Sequence, residues 1–322
     1  MAETEIQLNP NADSGELTPG RSLWADALRR LTRDKVAMIF FAIVMVYVLI
    51  ALVPLVASWC GFNLVDWWDA ARNGDFRDHG PTLQNGIEGI LGYDVFGRSV
   101  LGKTILGANT SMSVGFMANI IAVPLGMLLG AIAGYYGGKV DDFIVWVYTT
   151  FACVPGIILL IAIKFAFKGV TILGVDFGGM PGLYLALAVT SWIGTCRLVR
   201  AETMRLRELD YVQAARCCGR GRFMILLKHI APNVMHIGII NFSLGFVGAI
   251  QSEVMLSFLD IGVPAGTPSW GNMISAADKD LIAGHWWQLA SAVGAMFLVV
   301  LAWNIFGDRL RDALDPKLKN AG

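Results

Sequence analysis

The chain has 322 residues, of which 55% are hydrophobic and only 16% charged, with 25 basic and 25 acidic side chains that cancel. Soluble domains carry about 25% charged residues, so this composition excludes an ordinary aqueous globule, and zero net charge excludes a general pull toward nucleic acid. The five cysteines, Cys60, Cys153, Cys196, Cys217 and Cys218, have neither metal-site spacing nor the pattern of a disulfide framework, and are expected to be small apolar fillers.

In chain order, residues 1–20 are polar, lack the charged-then-apolar build of a cleavable signal peptide, and read as a disordered tail. Over 21–35, Leu23, Trp24, Ala27, Leu28 and Leu31 share one helical face, with Arg29, Arg30 and Arg33 elsewhere. That pattern predicts an amphipathic helix in the headgroup layer. Val36 to Trp59 contains no charged residue and exceeds the roughly 20 apolar residues that cross a hydrocarbon core. Further apolar runs at 111–135, 143–167, 183–199, 234–258 and 286–307 bring the expected spans to six. Lys164 and Lys168, near the end of the third, are expected to snorkel to an interface. The chain therefore divides into a first span with a long loop (36–109) and a core (110–322) with prominent loops at 200–233 and 259–285.

Six spans put both termini on one side. Lysine and arginine number 18 on that side, through the N-terminal segment, Lys139, the loop after span four and the C-terminal tail. The other side has seven: Arg72, Arg77, Arg98, Lys103, Lys164, Lys168 and Lys279. Cation-rich loops stay in the cytoplasm, so both termini and the 200–233 loop are expected there, with 60–107 and 259–285 outside.

This orientation bears on residues 97–104, GRSVLGKT, which spell the G-x-x-x-x-G-K-[ST] pattern of a phosphate-cradling loop. Such a loop needs a buried strand leading into a helix N-terminus, with the lysine converging on the phosphates. The preceding ILGYDVF contains Gly92 and Asp94 and makes a poor buried strand. The string also lies on the side away from ATP, so it is read as a coincidence of spelling.

Within the 200–233 loop, the stretch Arg205 to Asn233 carries the strongest local signal. Asp210 is placed to cap a short helix, with Gln213 three residues on to return the bond as in a capping box. Gly219 tolerates the left-handed conformation that ends such a helix. Tyr211, Ala214, Ala215 and Cys218 would share a face that another surface can approach, while Gln213 and Arg216 point away. A second helical stretch, Phe223 to Ile230, leads to Pro232 at the entry to span five. Taken alone, these residues suit either a connector resting on the membrane or a docking element for a cytoplasmic partner.

QAARCCG (213–219) followed by IAPN (230–233) resembles the coupling-loop signature of ABC-importer membrane subunits, Glu-Ala-Ala-x-x-x-Gly then Ile-x-x-Pro. Ala214, Ala215, Gly219, Ile230 and Pro232 match; Gln213 replaces the usual Glu, losing a charge, and Ala231 the usual Leu. Four further stretches are similar to the dipeptide/oligopeptide/nickel permeases: SLWADALRRLTRDKVAMIF, LGYDVFGRSVLGKTILGANTSMSVGF, LSFLDIGVPAGTPSWGNMI and GDRLRDALDPKLK. In these, Tyr93, Ser99, Lys103 and Asp260 depart from the family's Thr, Asp, Arg and Gly. The resemblance covers most of residues 22–319 and fits the second, C-type subunit. It implies an all-α polytopic membrane protein of six transmembrane helices with the type I ABC importer permease fold, in a bacterial inner membrane. It also implies import of peptides or peptide-like solutes by alternating access. The expected partners are a second homologous permease, two cytoplasmic ATP-binding subunits that hydrolyse the ATP, an extracytoplasmic solute-binding protein and the lipid bilayer. No cofactor, metal or catalytic group is expected.

For the pathway, Gln251, Ser252 and Glu253 are singled out, because intramembrane ionisable groups are costly and often functional; Glu253 alternatively sits at an interface or caps a turn. Gly126, Gly130, Ala131 and Gly134 suit close helix packing, and the Trp/Asp-rich Asp66, Trp67, Trp68 and Asp69 suggest a surface for the solute-binding protein or a lid. Alternatives are a nickel or small-solute permease of the same family, an ion-coupled secondary transporter, or a membrane enzyme. The secondary transporter would show internal repeats, broken helices or a chain of carboxylates, none evident here. His79, His229, His236 and His285 lack metal spacing.

Overall fold

The computed structural model describes residues 29–62, 64, 68, 79–83 and 86–314. The tail, most of the expected amphipathic helix (Leu23, Trp24, Ala27, Leu28), the residues Asp66, Trp67 and Asp69, and the end of the C-terminal segment lie outside them. Residues 29–33 are helical. Asp34 then interrupts the chain and caps α1 (Lys35–Trp59), its carboxylate accepting from the Val36 and Ala37 N–H groups. Of α1 only Ala37 and Val44 are fully buried; one face, with Phe40, Ile43 and Tyr47, rests on the core, and the opposite apolar face needs lipid or a partner as solvent.

The central element is α2 (Val100–Tyr136), 37 residues long and about 55 Å at 1.5 Å per residue, well beyond a hydrocarbon core of about 30 Å. It starts eleven residues before the apolar run that announced it, inside the phosphate-loop spelling, with Ser99 as its cap. After a Gly137 turn come α3 (Gly138–Ala152) and α4 (Gly156–Ala166), bent by 93° at the three intervening residues. One straight span was expected over 143–167. The bend follows from Pro155, which lacks a donor and disfavours helix at the preceding residue. A broken helix is thus present after all, though singly rather than as a pair. A two-residue hairpin, β1 (Thr171–Ile172) with β2 (Val175–Asp176), turns through Leu173 and Gly174 at positive φ, the backbone sense that suits a tight hairpin.

The chain continues as α5 (Met180–Leu206), α6 (Asp210–Cys217), α7 (Arg222–Ile225), a π-helical turn (Leu226–Ile230), α8 (Ala231–Phe258), α9 (Trp270–Ile282) and α10 (Trp287–Leu314). Among the described residues, five helical runs are long and apolar enough to cross a membrane, or six if the bent α3–α4 pair is one span. The 259–285 segment holds α9, which turns Trp270, Met273 and Ala277 inward.

Packing centres on α2. Its glycines at 126, 130 and 134 lie against α5, where an added Cβ would meet the carbonyl oxygens of Trp192, Cys196 and Arg200 at 2.6, 2.5 and 2.6 Å. Small residues every fourth position let two parallel helices touch backbone to backbone. On its other side α2 joins α1, α8, α9 and α10 around Met112, Phe246, Trp270 and Trp303, with the Phe246 and Trp303 rings stacked at 3.8 Å. Arg200 forks onto Asp141, Nη2 to Oδ2 at 2.7 Å, and ties α5 to α3. Lys164 does not snorkel to water; it is buried and donates to the Gly178 and Gly179 carbonyls at 2.8 and 2.7 Å, whereas Lys168 is exposed. Of the cysteines only Cys196 is a buried filler; the other four are exposed and all five are free.

Candidate functional site

Helix α6 sits at one end of the bundle, between the end of α5 and the run that becomes α8. The expected capping box does not form. Leu209 is the cap position, Asp210 is the first helical residue, and no side chain closes the N-terminus. Gln213 instead donates to the Arg207 carbonyl at 3.3 Å. The C-terminus is closed by backbone alone: Gly219 N–H to Arg216 O at 2.9 Å and Arg220 N–H to Ala215 O at 3.2 Å, with Gly219 at φ +74°. This is a Schellman stop, which requires the left-handed residue that glycine supplies.

The helix has two faces. Val212 is wholly buried and Ala215 half-buried against Leu206, Ile225, Leu226, Ile230 and Val234. Tyr211, Ala214, Cys217, Cys218 and Gly219 are exposed. Ala215 was expected on the outward contact face; it faces the chain's own core, because α6 is only two turns long and Val212 with Ala215 supply its sole apolar purchase. Val212 itself carried no motif, although its β-branched apolar side chain amid polar neighbours was the available signal.

Two side-chain contacts fix α6 to the long helices. Arg216 lies over the Tyr135 ring of α2, 5.3 Å from its centroid. Asn233 Nδ2 donates to the Tyr211 hydroxyl at 3.1 Å and to the His229 carbonyl at 2.7 Å. Burial pushes the Tyr211 phenol up from its usual value, the Asn233 bond partly opposing this, so it stays uncharged. Pro232 stands in the first turn of α8, at the expected entry, but no break in the helical run precedes it. The helical run continues from Arg222 to Phe258, and a wide turn, with Ala231 N–H donating to Leu226 O five residues back, accommodates the ring that would otherwise strike the preceding turn. Ile230 is buried under this turn and Pro232 is exposed.

Beside this end, α5, α8 and α10 enclose a groove of about 630 Å³ whose lining includes Leu198, Glu202, Arg205, His236, Asn241 and Arg311. Sequence reasoning missed it, since its walls come from three helices far apart in the chain.

The residues singled out for a pathway do not share one surface. Gln251 is exposed, Ser252 is partly exposed and bonds back to Gly248 O, and Glu253 is fully buried among hydroxyls at the other end of the bundle. Glu253 turns inward, so it lines no open surface of this chain, because α8 packs that face against α2 and α9. At the same end Lys103 of the phosphate-loop spelling donates to Gln288 Oε1 at 3.0 Å and lies 3.6 Å from Asp94 Oδ2. Arg98 grips the same carboxylate at 2.9 Å and stacks 4.2 Å over Trp68. A lysine so engaged offers nothing to a phosphate. Trp68, proposed as docking surface or lid, is buried and donates to Ser99 O at 3.1 Å. Among the described residues no group of three or more His, Cys, Asp or Glu could hold a metal.

The chain is similar to known proteins along most of its length. Residues 126–320 match the family described as "Binding-protein-dependent transport system inner membrane component", and residues 22–63 match the "N-terminal TM domain of oligopeptide transport permease C". The dipeptide transport system permease protein DppC of Bacillus subtilis (strain 168) is 31% identical, over 97% of this chain and 91% of its own. The glutathione transport system permease protein GsiD of Pectobacterium atrosepticum is 33% identical over 96% and 94%, and the oligopeptide permease OppC of Haemophilus influenzae 33% over 92% and 90%. An inward-facing structure of the MetNI methionine ABC transporter aligns with a TM-score of 0.48 at 18% identity, over 66% of this chain and 93% of that one. With five or six membrane-length apolar runs among its described residues and family matches over 22–63 and 126–320, the chain is an inner-membrane permease component of the binding-protein-dependent transport systems.

Proposed function

We propose that this permease forms half of the pathway of an ATP-driven importer for peptides or peptide-like solutes. It pairs with a second homologous permease, takes solute from an extracytoplasmic binding protein and is driven by two ATPase subunits through α6. The observation that carries this reading is the division of α6 into an anchored face, Val212 with Ala215, and an exposed face, Tyr211 with Ala214 and Cys218. A helix held by its own chain on one side and presented on the other is built to transmit a push. The similarity to dipeptide, oligopeptide and glutathione permeases supports the substrate class.

On this reading α6 and both termini face the cytoplasm, and the groove among α5, α8 and α10 is this chain's contribution to the cytoplasmic mouth of the pathway. Closure of the ATPases moves α6 and turns the pathway outward; product release reverses it. The loop needs different contacts in the two states, since only differential binding shifts an equilibrium, and about 5.5 kcal/mol moves a population from 1:99 to 99:1.

The test uses Ala214→Glu, which changes the exposed face without touching the anchored one. The complex is purified through this subunit and reconstituted in liposomes with the binding protein. The expected outcome is normal membrane insertion with loss of co-purifying ATPase, or of binding-protein-stimulated ATP hydrolysis. Unchanged assembly, stimulation and uptake would remove α6 as the docking element.

A further inference from the structure

We propose that Glu253 is a positioning residue that fastens α9 to α2 and α8, so that the helical run leading from α6 carries α9 with it. The carboxylate is 0% exposed. Ser111 Oγ of α2 donates to Oε2 at 3.1 Å and Ser257 Oγ of α8 to Oε1 at 3.0 Å. Ser269, wholly buried at the same end, caps α9 by accepting from Asn272 N–H at 3.0 Å. Ser111 Oγ in turn accepts from Trp270 N–H at 3.3 Å, and Ser257 Oγ from Val263 N–H at 3.2 Å. An added Cβ on Gly271 would stand 2.7 Å from Glu253 Oε1, so the first turn of α9 rests directly on the carboxylate.

This arrangement differs from ordinary packing. A buried carboxylate is tolerated only while its oxygens are bonded, and removing a partner exposes a large desolvation penalty. The cluster therefore holds α9 in one discrete docked position rather than a graded one, the kind of two-state element that coupling requires. Its other end is mechanical. The Asn233–Tyr211 bond ties α6 to the start of α8, and the Arg222–Phe258 run is a single helical rod of 37 residues, with Glu253 about 46 Å from Arg222 at 1.5 Å per residue. That transmission step rests on the importer reading; the fastening of α9 does not.

Two measurements separate these parts. In a chain with its native cysteines replaced, Ala277→Cys places a thiol on the buried face of α9, where Ala277 is 0% exposed. Maleimide labelling in permeabilised cells that express the whole complex should find it protected with Glu253 and with Glu253→Gln, and at least tenfold more reactive with Glu253→Ala. Should Glu253→Ala not assemble, the double change Ser111→Ala with Ser257→Ala is expected to raise labelling in the same way. Protection that persists in the assembled variants overturns the fastening role. In liposomes, Glu253→Ala should retain basal ATP hydrolysis yet lose at least tenfold in uptake, with Glu253→Gln within twofold of the parent; uptake unaffected by Glu253→Ala overturns the transmission. Failure of the parent chain to retain an ATPase would count against the importer reading alone, and the labelling result would still decide whether Glu253 holds α9.

Discussion

At the residue scale, two of the helix stops among the described residues make an instructive pair. Gly219 ends α6 at φ +74°, and Asp260 ends α8 at φ +58° with Asp260 N–H bonded to Ser257 O and Ile261 N–H to Leu256 O. Both are Schellman stops, and the second explains a departure noted in the sequence, where the resembling permeases have glycine at the position of Asp260. Aspartate tolerates the left-handed region better than most residues, but glycine pays no Cβ penalty there, a difference of about 1 kcal/mol. Asp260→Gly is therefore expected to raise stability by about that amount in reversible denaturant unfolding. Gly219→Val should do the reverse and more, since a β-branched residue is a poor occupant of that region; limited proteolysis of the loop should show α6 opening by at least fivefold. Tyr211→Phe deletes the acceptor of the Asn233 bond, worth about 0.5–1.5 kcal/mol. Because burial holds the phenol above its ordinary value, the uncharged hydroxyl makes this contact at every pH cells experience. Thermal unfolding should show the same Tyr211→Phe deficit at pH 6 and at pH 8.

At the element scale, the α2–α5 seam is the least forgiving part of the fold. With Gly130 so close to the Cys196 carbonyl that a Cβ would sit 2.5 Å away, Gly130→Ala must push two backbones apart. Overpacking of this kind costs about 1–3 kcal/mol, readable as earlier unfolding in mixed micelles, while the same change at Gly194, with open space around it, should be close to neutral. These glycines were legible in the sequence as packing residues because their fourfold spacing has few other uses. The number of spans was legible too, since bilayer thickness sets the length of an apolar run. Helix ends were not. The start of α2 carries Lys103, Thr104 and Asn109, which read as loop, yet Lys103 is neutralised by Asp94 and bonded to Gln288 and Asn109 donates to the Ala51 carbonyl. Hydropathy registers the charge and is blind to the partner. The bend at Pro155 was signalled by one residue and overridden by the apolar letters around it. In the coupling segment the Gly219 stop was legible and the inward turn of Ala215 was not, because on a two-turn helix the choice between faces is made by Leu206, Ile225 and Ile230 rather than by the helix itself.

At the scale of the whole molecule, the charge asymmetry expected to orient the chain is sharper in three dimensions than in the sequence. Of the seven cations on the expected outer side, Arg98 and Lys103 share Asp94 and Lys164 is absorbed by two backbone carbonyls, so three are built into the protein rather than offered to a surface. On the other side several cations are also paired, Arg200 with Asp141, Arg205 with Glu202 and Arg207 with Glu208, but Arg216, Arg220 and Arg222 remain exposed around α6. Exposed lysine and arginine are what hold a loop in the cytoplasm, and α6 is where they cluster. The expectation is therefore specific. In a chain keeping only Cys218, which is exposed, and expressed without the ATPase subunits, an impermeant maleimide added to intact cells should leave the thiol unmodified and should reach it once the inner membrane is opened. In a second chain whose single thiol is Ile282→Cys, a site 87% exposed at the last residue of α9, the same reagent should react without opening the membrane. If both patterns came out reversed, α6 would lie where no ATP is available. The docking role would then fail with it, however well the helix is shaped to be gripped.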